Sequence, residues 1–392
     1  MKKWLPITAL LACVFVQCQS DKAPPEQEPQ NNDAASFSEL PPPEEDYQES
    51  EYKWGYIDQN GDLVIPGKFD DTRDFSEGLA VVRIKGRWGY IDKMGKTAIP
   101  IEYKGAWSFL EGLARVQTFE GTMGFIDHEG NWVIPATYEE VQDFQEGLAR
   151  FREKGLYGFI DQKGKTVIPA TLESASDFTN GISKITKDGN AGLMDKNGQL
   201  VLNNGFQKVY PFSGNLARVK KEGKYGYVDR NGDLVIDYQF KSARDFEEGV
   251  APAKNDQKYG LIDTNGEFVV NPIFDQVWYA GESRWGVALN GKFGFIDQTG
   301  KEIAPIEFEQ IYSFSEGYAP YQLGRLWGIL DKNGNIVTRP QFGLAWAFHN
   351  GLARVAVRGG IAFVDYQGKM VIPPQFFEVR DFSEGLARVQ VY

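Results

Sequence analysis

The chain has 392 residues, 42% hydrophobic and 14% aromatic, which is enough apolar material for a continuous core and too much for a disordered polymer. Its net charge of −12 is unevenly placed: the first eighteen residues carry +2, residues 19–51 carry −9, and −5 is left for residues 52–392. A body so close to neutral has no basic stripe for phosphates, which argues against nucleic acid as a partner.

In chain order, Lys2 and Lys3 precede an uncharged apolar run from Trp4 to Val16. That pattern predicts a secretory signal over residues 1–18, too short for a comfortable membrane span. Both cysteines of the chain, Cys13 and Cys18, sit there, so the body can hold no disulfide framework. A cysteine closing an apolar run resembles the lipobox of bacterial lipoproteins, in which the thiol takes a diacylglycerol and becomes the new N-terminus. "LLAC" at Cys13 has the small residue of the box but a short apolar region; Cys18 has the better length and following linker, against Gln17 before it. The resemblance implies a lipid-anchored protein of the cell envelope, on the outer membrane or periplasmic side, with Cys18 favoured over Cys13; without the lipid the protein would be secreted. Residues 19–51 are rich in Pro, Glu, Gln, Asn and Asp and predict a disordered acidic linker. At ~3.1 Å per residue it would reach up to ~100 Å.

From residue 52 to the end one pattern recurs ten times. The glycine of "WG" falls at 55, 89, 124, 158, 192, 226, 260, 294 and 328, with Ala362 in the tenth place, a spacing of 34 with a single 35. Three residues later comes an aspartate and three after that a glycine, in all ten copies, from Asp58 and Gly61 to Asp365 and Gly368. In the first copy, Trp54-Gly55-Tyr56-Ile57 suits a strand. "DQNG" closes a tight hairpin, with Asn60 and Gly61 tolerating positive φ and the Asp58 carboxylate accepting turn amides. "DLVIP" is the return strand, ended by Pro66, and after a looser "GKFDDTRDF" the chain turns at Glu77-Gly78 into a third strand, "LAVVRI". The expectation is an all-β tandem array of about three short antiparallel strands per copy, superhelical or propeller-like, each copy burying its face on the next. Because the chain starts on a first strand and finishes on a third, without a permuted closing strand, an open array is expected.

The unit WGyID-x-x-G-x-x-VIP-x-x-(F/Y)-(D/E)…F-x-EGLA-x-V resembles the bacterial WG-repeat, or KWG-repeat, family across residues 52–392. The fifth copy lacks the Trp and the Pro, and the seventh replaces "EGLA" with "GESRWGVAL". The resemblance implies an all-β repeat fold with an interaction role and no catalytic residues to carry over.

"DQNGD" and "DRNGD" superficially match calcium loops, but the fifth position is Lys96, Lys165, Lys301 or Lys369 in other copies, which would set a positive charge against a cation. His128 and His349 have no clustered partner in sequence, and the glycines lack phosphate-loop spacing. No catalytic residue, metal or cofactor is expected. One variable position stands out, two residues before the Phe of "DF-x-EG": Arg73, Trp107, Gln142, Ser176, Tyr210, Arg244, Trp278, Tyr312, Trp346 and Arg380. Stacked copies would align these side chains into one row. Aromatic faces interleaved with guanidinium suit peptide or sugar ligands, and equally suit packing between copies. The functional expectation is therefore a non-catalytic, extracytoplasmic scaffold binding an envelope or surface protein, with glycan or cell-wall binding by the row as the alternative.

Overall fold

The computed structural model describes residues 51–202 and 205–391. The predicted signal segment, Cys13, Cys18 and nearly all of the acidic linker lie outside the described residues. The repeats build an all-β ring, a β-propeller of ten four-stranded antiparallel blades. One blade consists of Asp71–Thr72, Leu79–Ile84, Arg87–Asp92 and Thr97–Tyr103, hydrogen-bonded in that order. The strand missing from the three-strand expectation is the first. It is two residues long in this blade and sits in the stretch "DDTRDF", where it pairs Asp71 with Arg83 and Thr72 with Val82. A strand so short leaves no alternating pattern to read.

The blade is also offset from the sequence repeat. Each copy supplies the third and fourth strands of one blade and then the first and second of the next, with Asp70 alone separating Leu63–Phe69 from Asp71–Thr72. The two ends of the repeat array are therefore half-blades. Glu378–Ser383 and Leu386–Val391 pair with Lys53–Ile57 and Leu63–Phe69 in one sheet, Lys53 opposite Val391 and Ile57 opposite Ala387. The expected open array is thus corrected to a closed ring. The half-blades at the two ends of the array are themselves the closing strands, because the repeat and the blade differ in phase.

Two features of the repeat have a direct steric cause. A Cβ on Gly55 would stand 2.4 Å from the Ile65 carbonyl oxygen, because the fourth strand bulges across the Gly55 Cα. Trp54 pairs with Phe69 and Tyr56 with Ile65, so two residues oppose four, and Pro66 lies in the bulge, where its missing N–H breaks no ladder bond. The tenth copy, with Ala362, has a fourth strand of three residues, Met370–Ile372, and so does the fifth, Leu200–Leu202, which keeps Gly192, so the Cβ is not what shortens it. The aspartates cap the hairpins in all ten copies: Asp229 Oδ1, for example, accepts the amides of Asn231 (2.8 Å) and Asp233 (2.9 Å).

Blades pack through an aromatic pair that crosses seven of the ten junctions, with Leu193, Leu261 or Ile329 in the first place at the other three. The residue after "WG" meets the Phe of "DF" in the following blade: Tyr56 with Phe75, Tyr90 with Phe109, Phe159 with Phe178 and Phe295 with Phe314, centroids 4.8–5.1 Å apart and tilted toward edge-to-face. Where the first member is tyrosine its buried hydroxyl donates to a first-strand carbonyl of the next blade, as Tyr90 does to Trp107 at 2.8 Å. The closing junction is built the same way, with Phe363 on Phe382 one blade earlier and Ser383 donating to the Phe75 carbonyl at 2.9 Å.

Asp229→Ala, which removes one such cap, should lower stability by about 1 kcal/mol, the scale of a lost side-chain cap on backbone amides, without changing the far-ultraviolet circular dichroism. The caps also set an acid limit. At Asp127 the Asn131 amide leads in holding the carboxyl below its ordinary range; at Asp58, Asp263, Asp297 and Asp331 slight burial works the other way and is outweighed by turn amides and by the Asn60, Asn265, Thr299 or Asn335 side chains. With folded-state values lowered, the unfolded chain takes up these protons first. The melting temperature should hold steady above about pH 5 and fall as pH drops through about 4 and below. A Tm–pH profile that rises toward acid would contradict this assignment. Finally, a chain ending at Gly385 loses Leu386–Val391 and leaves two strands with bare edges; it should melt several degrees lower and associate in a concentration-dependent way by sedimentation.

Candidate functional site

Each member of the variable row lies in the first strand of its blade (Tyr210, Trp278, Trp346 and Arg380) or directly after it, and faces a residue eight positions later. Trp107 donates its backbone N–H to the Arg115 carbonyl at 3.0 Å, and Gln142, Ser176, Arg244 and Tyr312 repeat that bond to Arg150, Lys184, Pro252 and Pro320. The cross-strand partner decides how the side chain lies. Arg115, Arg218 and Arg354 place their guanidinium carbons 3.8, 3.7 and 4.7 Å from the rings of Trp107, Tyr210 and Trp346. Opposite Trp278 stands Gly286, where a Cβ would fall 2.2 Å from the indole. Tyr312 stacks on Trp327 with centroids 4.9 Å apart and planes at 13°. Arg73 reaches Trp88 of its own blade at 5.6 Å and Trp107 of the next at 5.9 Å. Arg244 and Arg380 are exposed, the latter paired with Glu378. The five aromatic members, together with Arg73, are half-buried, each presenting part of its surface to solvent.

The arginines beneath the row have a second task that sequence reasoning missed. Arg115 Nε pairs with Asp143 Oδ1 of the next blade at 3.0 Å while Nη1 donates to the Val141 carbonyl at 2.7 Å. The same bridge joins Arg150 to Asp177, Arg218 to Asp245 and Arg354 to Asp381, and Arg388 to Asp74 across the closing junction at 2.6 Å. Arg115 is only 6% exposed, so its pair is shielded from water on one side by the Trp107 indole. The signal was available: an Arg in "LARV" and an Asp in "DF" recur about 27 residues apart.

A second ring of contacts follows the Glu-Gly turns. Glu111 Oε1 and Oε2 accept the amides of Glu146 (2.5 Å) and Gly147 (2.7 Å) in the next blade. Glu146 does the same to Asn180 and Gly181, and Glu316 to Asn350 and Gly351. Glu77, Glu282 and Glu384 each hold one amide, of Gly112, Gly317 and Gly78. A side chain from the next blade often joins: Lys196 on Glu146, Lys93 on Glu384, His128 on Glu77 and Tyr366 on Glu316, at 2.9–3.3 Å. At Glu146, Glu316 and Glu384 burial would raise the carboxyl pKa, but the turn amides together with Lys196, Tyr366 and Lys93 bring it below the ordinary range. His128 is thereby engaged at a junction, its ring also stacked on Phe109 at 4.1 Å. No group of three or more metal-ligating side chains converges among the described residues.

Between the blade that ends at Phe240 and the blade that follows, a half-open cleft of about 440 Å³ lies beside these turns, walled by Leu216, Val235 and Phe246. No helix among the described residues is long and apolar enough to cross a membrane.

Among solved structures, a eukaryotic initiation factor is 13% identical with a TM-score of 0.45, over 82% of this chain and 95% of that one. BamB from Moraxella catarrhalis is 11% identical, TM-score 0.35, over 83% and 99%, and the computationally designed Ika8 protein 12%, TM-score 0.33, over 74% and 94%. At these values the likenesses carry no argument about function. The comparison with curated proteins gives no match. The WG containing repeat matches ten times, at 54–88, 88–118, 123–157, 157–190, 192–225, 225–259, 259–293, 293–327, 327–360 and 362–392. With the capped hairpin present in all ten matches, the bulge glycine in nine and the crossing aromatic pair in seven, this chain belongs to the WG-repeat family.

Proposed function

We propose that this protein is a non-catalytic interaction scaffold, held on the extracytoplasmic side of a membrane by a lipid on Cys18 or Cys13, and that the first-strand row binds a protein of the envelope or surface. The observation that carries the reading is the clamping of the row. Cross-strand arginines, Gly286 or Trp327 fix Trp107, Tyr210, Trp278, Tyr312 and Trp346 in place while leaving each partly open. Side chains already fixed lose little rotamer entropy on binding, and aromatic and Arg anchors carry most of the energy of protein interfaces. A partner spanning several blades would gain from each in turn. The repeat β-propeller supports a scaffold more generally, since its junctions direct most of their polar groups to one another.

The test uses the exposed member of the row. Arg244→Ala removes no buried contact and should leave stability within about 0.5 kcal/mol of wild type. Combined with Trp278→Ala, it should abolish recovery of the same crosslinked envelope protein that wild type captures. Unchanged capture by a folded double variant overturns the row as the binding surface; loss of binding to an immobilised glycan panel instead of to protein would move the assignment to a glycan. The anchor is checked separately, by fatty-acid labelling of Cys13→Ser and Cys18→Ser.

A further inference from the structure

Nine of the ten turns that follow the Phe of "DF" begin with a residue able to reach the next blade through a side-chain oxygen: Glu77, Glu111, Glu146, Asn180, Glu248, Glu282, Glu316, Asn350 and Glu384. The tenth begins with Gly214. In this copy the order is Gly-Asn where the others have Glu-Gly, Asn-Gly or, in the seventh, Glu-Ser, and only the first residue of the turn, Gly214 at φ 60°, is left-handed. Gly214 therefore brings no carboxylate to the following turn, Glu248-Gly249. Among the described residues no protein acceptor reaches the amides of Glu248 and Gly249, although their turn has the same pair of left-handed residues, at φ 50° and 86°, as the turns that hold a carboxylate elsewhere. The half-open cleft lies at this junction and is lined by Gly249 and Thr264 on one side and by Ser213 and Leu216 on the other.

We infer that this cleft is a binding site for an external carboxylate with an apolar body, the carboxylate taking the place that a glutamate from the preceding blade takes at six other junctions. The protein itself supplies the template. At those six junctions a carboxylate sits on one or two turn amides, and both oxygens are used between Glu111 and the pair Glu146 and Gly147. Thr264 occupies the position after the hairpin aspartate, the place from which Lys93, His128, Lys196 and Tyr366 reach the carboxylate at their junctions, so its hydroxyl is the third donor. The Glu248 side chain does not compete for the site. It points onward, where it accepts from the Tyr279 hydroxyl at 2.7 Å, just as Glu111, Glu146, Glu282 and Glu316 point onward to the next turn. Leu216, Val235 and Phe246 supply the apolar wall, and a volume of about 440 Å³ suits a small ligand or the last residue of a peptide. The two amides fix the charged end and the wall takes the rest, an arrangement in which the neutral amide analogue of the ligand is rejected because it presents an N–H to two donors. This inference is independent of the first-strand row and of the scaffold reading.

The experiment titrates the full chain with phenylacetate, phenylacetamide, and a short peptide ending in Phe with a free or an amidated C-terminus, read by saturation-transfer NMR and calorimetry. Phenylacetate and the free-acid peptide are expected to bind, and the two amides to bind at least about tenfold more weakly. Tighter binding of the peptide than of phenylacetate assigns the site to a chain terminus; equal or weaker binding assigns it to a free small acid. The double substitution Gly214→Glu with Asn215→Gly rebuilds the Glu-Gly turn, for which there is room, since nothing lies within 4 Å of a Cβ placed on Gly214. It should occupy the site from within, weaken phenylacetate by about tenfold or more, and leave the melting temperature at or above wild type. Thr264→Val, which removes only the third donor, should weaken the acid severalfold and the amide not at all, and decides the matter should the double variant fold poorly. Equal binding of acid and amide, no binding of either acid at about 10 mM, or undiminished affinity in the folded double variant or in Thr264→Val would each overturn the inference.

Discussion

A four-stranded blade of this family cannot bury its own face; the face of the next blade must do it. At seven of the ten junctions that requirement is met by one contact above all, the ring after "WG" set against the Phe of "DF" one blade later, as Tyr90 lies against Phe109. Both members are almost wholly buried, and losing either would leave a cavity of the kind that costs roughly 3 to 5 kcal/mol. Around this apolar contact the polar groups have little choice. The Tyr90 hydroxyl must find an acceptor and takes the Trp107 carbonyl; the Arg115 guanidinium, brought over the junction, must be paired and takes Asp143 and the Val141 carbonyl. The ring closes because the last junction offers the same partners as the others, Arg388 finding Asp74 as Arg354 finds Asp381.

The turn glutamates show local preference yielding to this non-local demand. Glu at φ near 50° is poorly placed, by about 1 kcal/mol against Gly or less against Asn, because its Cβ crowds the backbone in the left-handed region. Seven copies nevertheless keep Glu there. A carboxylate accepting one or two amides of the next blade forms charge-assisted hydrogen bonds that contribute about as much as the strain removes or more. A shorter Asp at the same place would relieve the backbone better but would not span the junction. Asn350, one of the two copies with Asn, reaches Gly385 only at 3.4 Å, which fits that reasoning.

What could be read from the sequence was whatever is local and repeated. The Asp58 hairpin cap depends on residues within four positions of one another, and the structure has that cap in every copy. The third and fourth strands follow from "WGYI" and "LVIP" because their pattern is long enough to carry a period. The first strand, Asp71–Thr72, is defined by its partner Arg83 and Val82 and by little in its own two residues. The blade boundary was illegible for a different reason: a sequence repeat fixes the period of an array but not its phase, and here the phase places the ends of the array in the middle of a blade. The row was visible as a position, Trp107 to Arg380, but not its clamps, because the pairing of Trp107 with Arg115 and of Trp278 with Gly286 appears only once the first strand is known to lie beside the second.

Repetition also changes where individuality can be found. In a ring of ten similar junctions, a residue present in every copy, such as Asp58 or Gly61, answers a structural need that every copy shares. Departures from the pattern are then the informative positions. The fifth copy loses its turn glutamate at Gly214, and the cleft stands at that junction. The seventh widens its turn through Glu282, Ser283 and Arg284, has Ala280 in place of the Phe with the half-buried Trp278 in its cluster, and packs the buried Trp285 with Leu261 and Val270. Arg284 then reaches forward to the Lys332 carbonyl at 2.7 Å, a contact specific to this copy among the described residues. These two copies stand two places apart, on either side of the copy that carries Arg244, the exposed arginine of the row. The ring is thus uniform where it holds itself together and particular over one short arc, which is where a partner able to recognise this chain rather than any WG-repeat ring would have to dock.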